Sequence, residues 1–97
     1  MKKLLTAIAL LSTSFIAQAE ESKGMSCKEI SEFAGSIMQA RQQGTPMSDL
    51  YDIANGSKVI ESLIILAYEV PKFNTAEYKQ REVSKFKNEL FLACVKN

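Results

Sequence analysis

The chain has 97 residues with 12 Lys+Arg, 11 Asp+Glu and no histidine, a length that allows one domain with a modest core. The charges are scattered and nearly balanced, which excludes the basic face that nucleic-acid binding requires. Without histidine, the usual proton carrier near neutral pH is missing, and no serine or cysteine stands in a nucleophile-elbow motif. We therefore expect a protein that is not an enzyme and that uses no cofactor.

The first 19 residues predict a secretory signal peptide. Lysines at 2 and 3 supply the positive start, residues 4–11 the apolar run and Ala17-Gln18-Ala19 the cleavage box, with cutting before Glu20. A membrane anchor is the alternative, but it needs about 20 apolar residues in succession, and hydroxyl residues interrupt this run. We therefore divide the chain into a signal peptide, residues 1–19, and a single helical domain, residues 20–97, that is periplasmic or secreted.

The chain contains only two cysteines, Cys27 and Cys94. Export to an oxidising compartment favours a disulfide between them, which would stabilise the fold by about 4 kcal/mol in the chain-entropy model. A metal site is the weaker interpretation, because there is neither a histidine nor a second cysteine pair to complete it.

The first predicted helix spans Cys27 to Gln43. Ser26 and Glu29 fit a capping box at its start, and Gly44 suits its C-terminal cap. One face carries residues at helical spacing, namely Cys27, Ile30, Phe33, Ala34, Ile37, Met38 and Arg41.

The second predicted helix is short. Thr45 suits its N-cap and Pro46 its first helical position, and Asn55-Gly56 would close it. Its apolar face consists of Met47, Leu50, Tyr51 and Ala54. Because the turn before it is tight, we expect the first two helices to pack as a corner.

The third predicted helix covers residues 57–70 and is apolar around most of its circumference, so we expect it to be the central one. A strand at residues 63–66 is the alternative, which the segment's length disfavours. Pro71 ends the helix. Helix four then follows from an N-cap at Thr75 over residues 76–95, with an inward set of Tyr78, Val83, Phe86, Leu90, Ala93 and Cys94.

Together these segments predict an all-α fold, a compact bundle of four helices with one disulfide joining the first and last helices. The ridge at residues 64–66 and Met47 would become a partner or self-association surface if the other helices cannot cover them. Central burial is the simpler expectation.

Three residues are candidates for binding: Arg41, Tyr51 and Tyr68. Arg41 falls on the apolar stripe of the first helix, where its guanidinium could receive a carboxylate or phosphate. Alternatively its stem packs and its head meets the last helical carbonyls or Asp49 and Asp52. That acidic pair could hold a cation, although acidic residues in a first turn already suit the helix dipole.

Several segments carry a resemblance that spans most of the mature chain. Cys27, Arg41-Gln42-Gln43-Gly44, Ala67-Tyr68 with Pro71, and Phe91-Leu92-Ala93-Cys94 together resemble small exported proteins of proteobacteria and their prophages. The chain also resembles, more faintly, the HdeA-type acid-stress chaperones, which are short, periplasmic, helical and held by one disulfide.

The expected function is protein binding, as an inhibitor, an immunity-type protein or an envelope accessory. The partner would be an unknown periplasmic protein, and a homodimer stays open. The resemblance to HdeA-type chaperones implies the alternative, an acid- or stress-activated periplasmic holdase.

Overall fold

A computed structural model of the chain describes residues 24–97. These form four helices: α1, Cys27–Gln43; α2, Met47–Ala54; α3, Lys58–Tyr68; and α4, Ala76–Lys96. The predicted all-α bundle is confirmed, and residues 63–66 are helical rather than a strand. None of the four helices combines the length and apolar character needed to cross a bilayer. The predicted signal peptide, residues 1–19, lies outside the described residues.

The ends of α1 match the prediction because local side chains set them. The Ser26 hydroxyl accepts from the Glu29 N–H at 3.1 Å, and the Glu29 carboxylate accepts from the Ser26 N–H at 3.0 Å, which completes the capping box. At the other end Gly44 has φ +91°, a left-handed conformation that glycine adopts without steric cost.

Thr45 belongs to the end of α1 rather than to the start of α2. Its N–H donates to the Ala40 carbonyl, while the Gly44 N–H donates to the Arg41 carbonyl, the bond pattern of a Schellman motif. Pro46 is consequently the N-cap of α2, in an extended conformation. The predictions of Thr45 as N-cap and Pro46 as first helical residue were each wrong by one position.

The third and fourth helices begin where predicted, at the caps formed by Ser57 and Thr75. Helix α3 ends at Tyr68, earlier than predicted, because the residue before a proline is disfavoured in helical conformation and Val70 precedes Pro71. Helix α4 runs one residue beyond its predicted end, to Lys96.

The central helix is α1, and the prediction that the third helix is central was wrong. Helix α1 packs against α4 on one side and α3 on the other. The Ser31 hydroxyl donates to the Lys87 carbonyl at 3.1 Å, and a Cβ on Gly35 would lie 2.6 Å from the Lys87 stem. Small residues on α1 thus let α4 approach closely, and α3 is left with one face uncovered.

The core is made of side chains from all four helices. Ile64 is fully buried, but its neighbours Ile65 and Leu66 are 42% and 44% exposed, so the ridge at residues 64–66 is only partly covered. Tyr78 and Ala93, predicted to face inward on α4, are exposed instead, and so are Phe33 and Met47 from the predicted apolar faces of the first two helices. The buried apolar residues are Ala34, Ile37, Met38, Ala54, Leu63, Ile64, Ala67 and Phe86.

The predicted disulfide between Cys27 and Cys94 is present. It joins the first residue of α1 to the last turn of α4, with the two Cα atoms 5.5 Å apart and 67 positions apart in sequence. The bond therefore closes the antiparallel α1–α4 pair at one end.

Candidate functional site

An apolar groove opens between α1, α2 and α3. Helix α2 packs mainly against α3 and stands away from α1, so the predicted corner of the first two helices does not form. The space between them has a volume of about 400 Å³. Its lining residues, which define the apolar groove hereafter, are Phe33, Ser36, Ile37, Leu50, Ile53, Ala54, Ile60 and Ile64.

Residues one helical turn apart form each wall of the apolar groove, so their side chains face the same space. Phe33 and Ile37 lie one turn apart on α1, and Ile60 and Ile64 lie one turn apart on α3. On α2, Ile53 is 73% exposed, and Phe33 across the groove is 47% exposed. Only Ser36 contributes a polar side chain to the lining. The groove thus offers large apolar side chains to anything that enters it.

An acidic cleft adjoins the apolar groove on α1. It is lined by Glu29, Glu32, Phe33 and Ser36 and has a volume of about 190 Å³. Phe33 and Ser36 belong to both linings, so the two spaces share a wall. A ligand seated in the groove would therefore have carboxylates one helical turn away from its apolar contacts.

Arg41 and Tyr68, two of the predicted binding residues, are brought together by the structure. The Arg41 Nε donates to the Val70 carbonyl at 2.9 Å, and its guanidinium carbon lies 5.1 Å from the centre of the Tyr68 ring, within cation–π range. The Tyr68 hydroxyl donates to the Thr45 carbonyl. Both side chains thus link segments of the fold, and the Arg41 head meets a connector carbonyl rather than the carbonyls ending α1.

The environment of Tyr68 favours its neutral form. Burial raises the pKa of the Tyr68 phenol, the nearby Arg41 guanidinium opposes that rise, and Asp49 adds to it. The neutral phenol is also the form that can donate to the Thr45 carbonyl.

Gln42 is the residue that sequence reasoning missed. It is 1% exposed; its Nε2 donates to the Pro71 carbonyl at 2.9 Å and its Oε1 accepts from the Phe73 N–H at 2.8 Å. The amide thereby fastens the α3–α4 connector to α1. A signal was present, since Gln42 lies four residues after Met38 on the stripe that contacts α4.

The remaining candidates lie elsewhere. Tyr51 is on α2, partly buried against the core. Among residues 24–97 no group of three or more histidine, cysteine, aspartate or glutamate side chains is placed to hold a metal ion. A third space, of about 340 Å³, is called the disulfide-end groove and is lined by Ile30, Val59, Ser62, Leu63, Leu66, Leu90, Ala93, Cys94 and Asn97.

No protein-family model, curated protein or solved structure matches the chain.

Proposed function

We propose that this protein is exported and acts by binding another protein, whose apolar segment lies in the apolar groove. The observation that carries the proposal is the groove itself, which has the volume of a small ligand-binding site. In it, Phe33 is about half exposed and Ile53 is largely exposed. Exposed apolar patches of this kind mark interaction sites in folded proteins.

Two features support action outside the cytoplasm. Residues 1–19 have the three-part pattern of a signal peptide, and disulfides such as Cys27–Cys94 persist mainly in oxidising compartments. An inhibitor, an immunity-type protein and an envelope accessory all fit a small helical bundle with an apolar groove on its surface. The mass of the protein purified from the periplasm tests the export step, since cleavage before Glu20 is expected.

Site-directed photo-crosslinking in the producing cell tests the binding site. A photoreactive amino acid replaces Ile53 in the apolar groove, and a matched protein carries it at Leu92, an exposed position on α4 that lines neither groove. We expect a discrete protein adduct from position 53 that a second change, Phe33→Ser, removes. Equal adducts from both positions, or none from position 53, would contradict the proposal.

The exposed apolar surface outside the groove favours a second candidate function, a stress-activated holdase. Ile65, Leu66, Phe91, Leu92 and Val95 are all more than 40% exposed, which would suit transient contact with unfolded clients. A holdase should suppress the aggregation of an acid-denatured client and should lose its near-UV circular dichroism at the same pH. If Ile53→Asp leaves the suppression of aggregation intact, the result favours a holdase over a protein that binds one partner in the groove. An unchanged near-UV spectrum at acid pH would exclude the holdase.

A further inference from the structure

We propose that the segment captured in the apolar groove is a basic amphipathic helix. This inference rests on the proposed function, because it specifies the chemistry of the partner at the same groove. Two observations carry it: the shape and apolarity of the groove, and the sign of the charges beside it.

The shape suits a helix that inserts one apolar face. The groove is bounded by three helices and is open to solvent, and its lining is apolar except for Ser36. Amphipathic helices bind such grooves through apolar anchors spaced one turn apart. Phe33 and Ile37 on α1 provide receiving contacts with that same spacing.

The charges beside the groove are negative. Glu29 and Glu32 line the acidic cleft that shares Phe33 with the groove, and Asp49 and Asp52 belong to α2, which forms the opposite wall. A cationic side chain one turn from an apolar anchor would therefore reach a carboxylate while the anchor fills the groove.

The cations on the same two helices offset only part of this charge. Helices α1 and α2 carry four carboxylates against two cations, Lys28 and Arg41. Neither cation lines the groove or the cleft, and the guanidinium of Arg41 lies at the Val70 carbonyl and the Tyr68 ring. On α3, the Lys58 amine lies 3.5 Å from the Glu61 carboxylate. An acidic ligand segment would thus be repelled where a basic one is attracted.

The direct test is a binding titration with labelled synthetic peptides. The probe is an amphipathic leucine–lysine peptide of about 18 residues, long enough to form a helix, and its matched control replaces every lysine with glutamate. Fluorescence anisotropy should show the basic peptide binding at least about tenfold more tightly than the acidic one. The preference should shrink as salt rises from about 0.05 M to about 0.5 M.

Single substitutions test whether the peptide binds in the groove and whether the carboxylates beside the groove attract it. Ile53→Asp should abolish binding, and Glu32→Lys should weaken the basic peptide about tenfold. Glu89→Lys makes the same charge change on α4 and should leave the affinity unaltered. Ile53 and Glu32 are exposed, so both changes are compatible with folding, which circular dichroism verifies.

The outcomes separate this inference from the proposed function. If both peptides bind equally and Ile53→Asp removes both, the groove is a binding site but the preference for a basic partner is overturned. If neither peptide binds, or if binding ignores Ile53→Asp, the groove proposal itself fails. A protein that sediments as a dimer until Ile53→Asp makes it monomeric would identify a second copy as the occupant and would overturn the inference.

Discussion

Gln42 shows how one buried amide can hold a connector in place. Because its side chain satisfies the Pro71 carbonyl and the Phe73 N–H, Gln42→Leu would leave both backbone groups without that partner. We expect the change to lower the free energy of unfolding by about 2–4 kcal/mol. Urea denaturation followed by circular dichroism measures it, with Gln43→Leu as control, since Gln43 is exposed and should change stability little.

Tyr68 predicts a pH dependence with a definite sign. Burial raises its pKa above the ordinary value of 10.0, so the folded state favours the neutral phenol. The stability this supplies is complete below about pH 10 and is lost as the pH rises through the folded-state pKa. Tyr68→Phe should therefore cost about 1 kcal/mol at pH 7, through the lost hydrogen bond, and should make the alkaline decline shallower.

Tyr78→Phe is the matched control for this pH prediction. The Tyr78 ring is 51% exposed, so its removal should leave the slope of stability against pH above 10 as in the unaltered protein. Both variants remove one phenol hydroxyl, so the difference between their slopes isolates the contribution of Tyr68. Parallel slopes for the two variants would contradict the assignment.

At the scale of the elements, the α1–α4 contact depends on a glycine. A Cβ added at Gly35 would lie 2.6 Å from both Cγ and Cδ of Lys87. We expect Gly35→Ala to destabilise the protein by about 1 kcal/mol or more through overpacking. In a Lys87→Ala background the same change should stabilise it by up to about 1 kcal/mol, because alanine is the better helix former.

A double-mutant cycle with thermal or urea unfolding checks this prediction. The two changes should be non-additive by more than 1 kcal/mol, about the coupling found for contacting residues. If Gly35→Ala has the same effect in both backgrounds, the close approach of α4 does not govern the packing at this position.

The helices and their ends could be predicted from the sequence because short-range chemistry determines them. Ser26 with Glu29, Gly44 and Thr75 each make a bond within a few residues, so their effect appears in the sequence itself. What covers a helix depends on distant residues instead. Periodicity predicted that Phe33 belongs to an apolar stripe. It could not predict that α2 packs against α3 and leaves Phe33 exposed.

The site was harder to predict than the fold for the same reason. Arg41 and Tyr68 were predicted as candidates for binding, yet their contacts, with Val70 and Thr45, lie more than 20 positions away in sequence. The apolar groove needs three helices to be placed before it exists. Gln42 was missed because a glutamine beside an arginine is typical of a helix surface. Its backbone partners, Pro71 and Phe73, lie in a connector whose sequence has no periodic pattern.

For the whole molecule, the disulfide is the main link that holds the C-terminal end of α4 to α1. Phe91, Leu92 and Val95 are each more than 40% exposed, so the last turns bury little apolar surface. Cys94→Ser together with Cys27→Ser should lower stability by about 4 kcal/mol in the chain-entropy model. The loosening should begin in α4, so trypsin should cut after Lys85 or Lys87 before it cuts after Arg41.

The same digest of the oxidised protein is the control for this prediction. With the disulfide intact, the sites on α4 should be protected to a degree similar to Arg41, which is held at Val70. Simultaneous cleavage of all sites in the variant without the two cysteines would show that the bundle opens as one unit, in contradiction to the order expected here.

The weak attachment of α2 determines how the apolar groove opens and closes. It has only eight residues, buries only Ala54, and is flanked by left-handed residues at Gly44, Asn55 and Gly56. Elements with so few buried contacts are the first to open locally, so its amides should exchange with solvent sooner than those of α1. A bound ligand that bridges α2 to α1 would slow that exchange. Hydrogen exchange of the α2 amides would then measure directly how much of the protein has ligand in the groove. Part of the binding free energy would be spent on ordering α2.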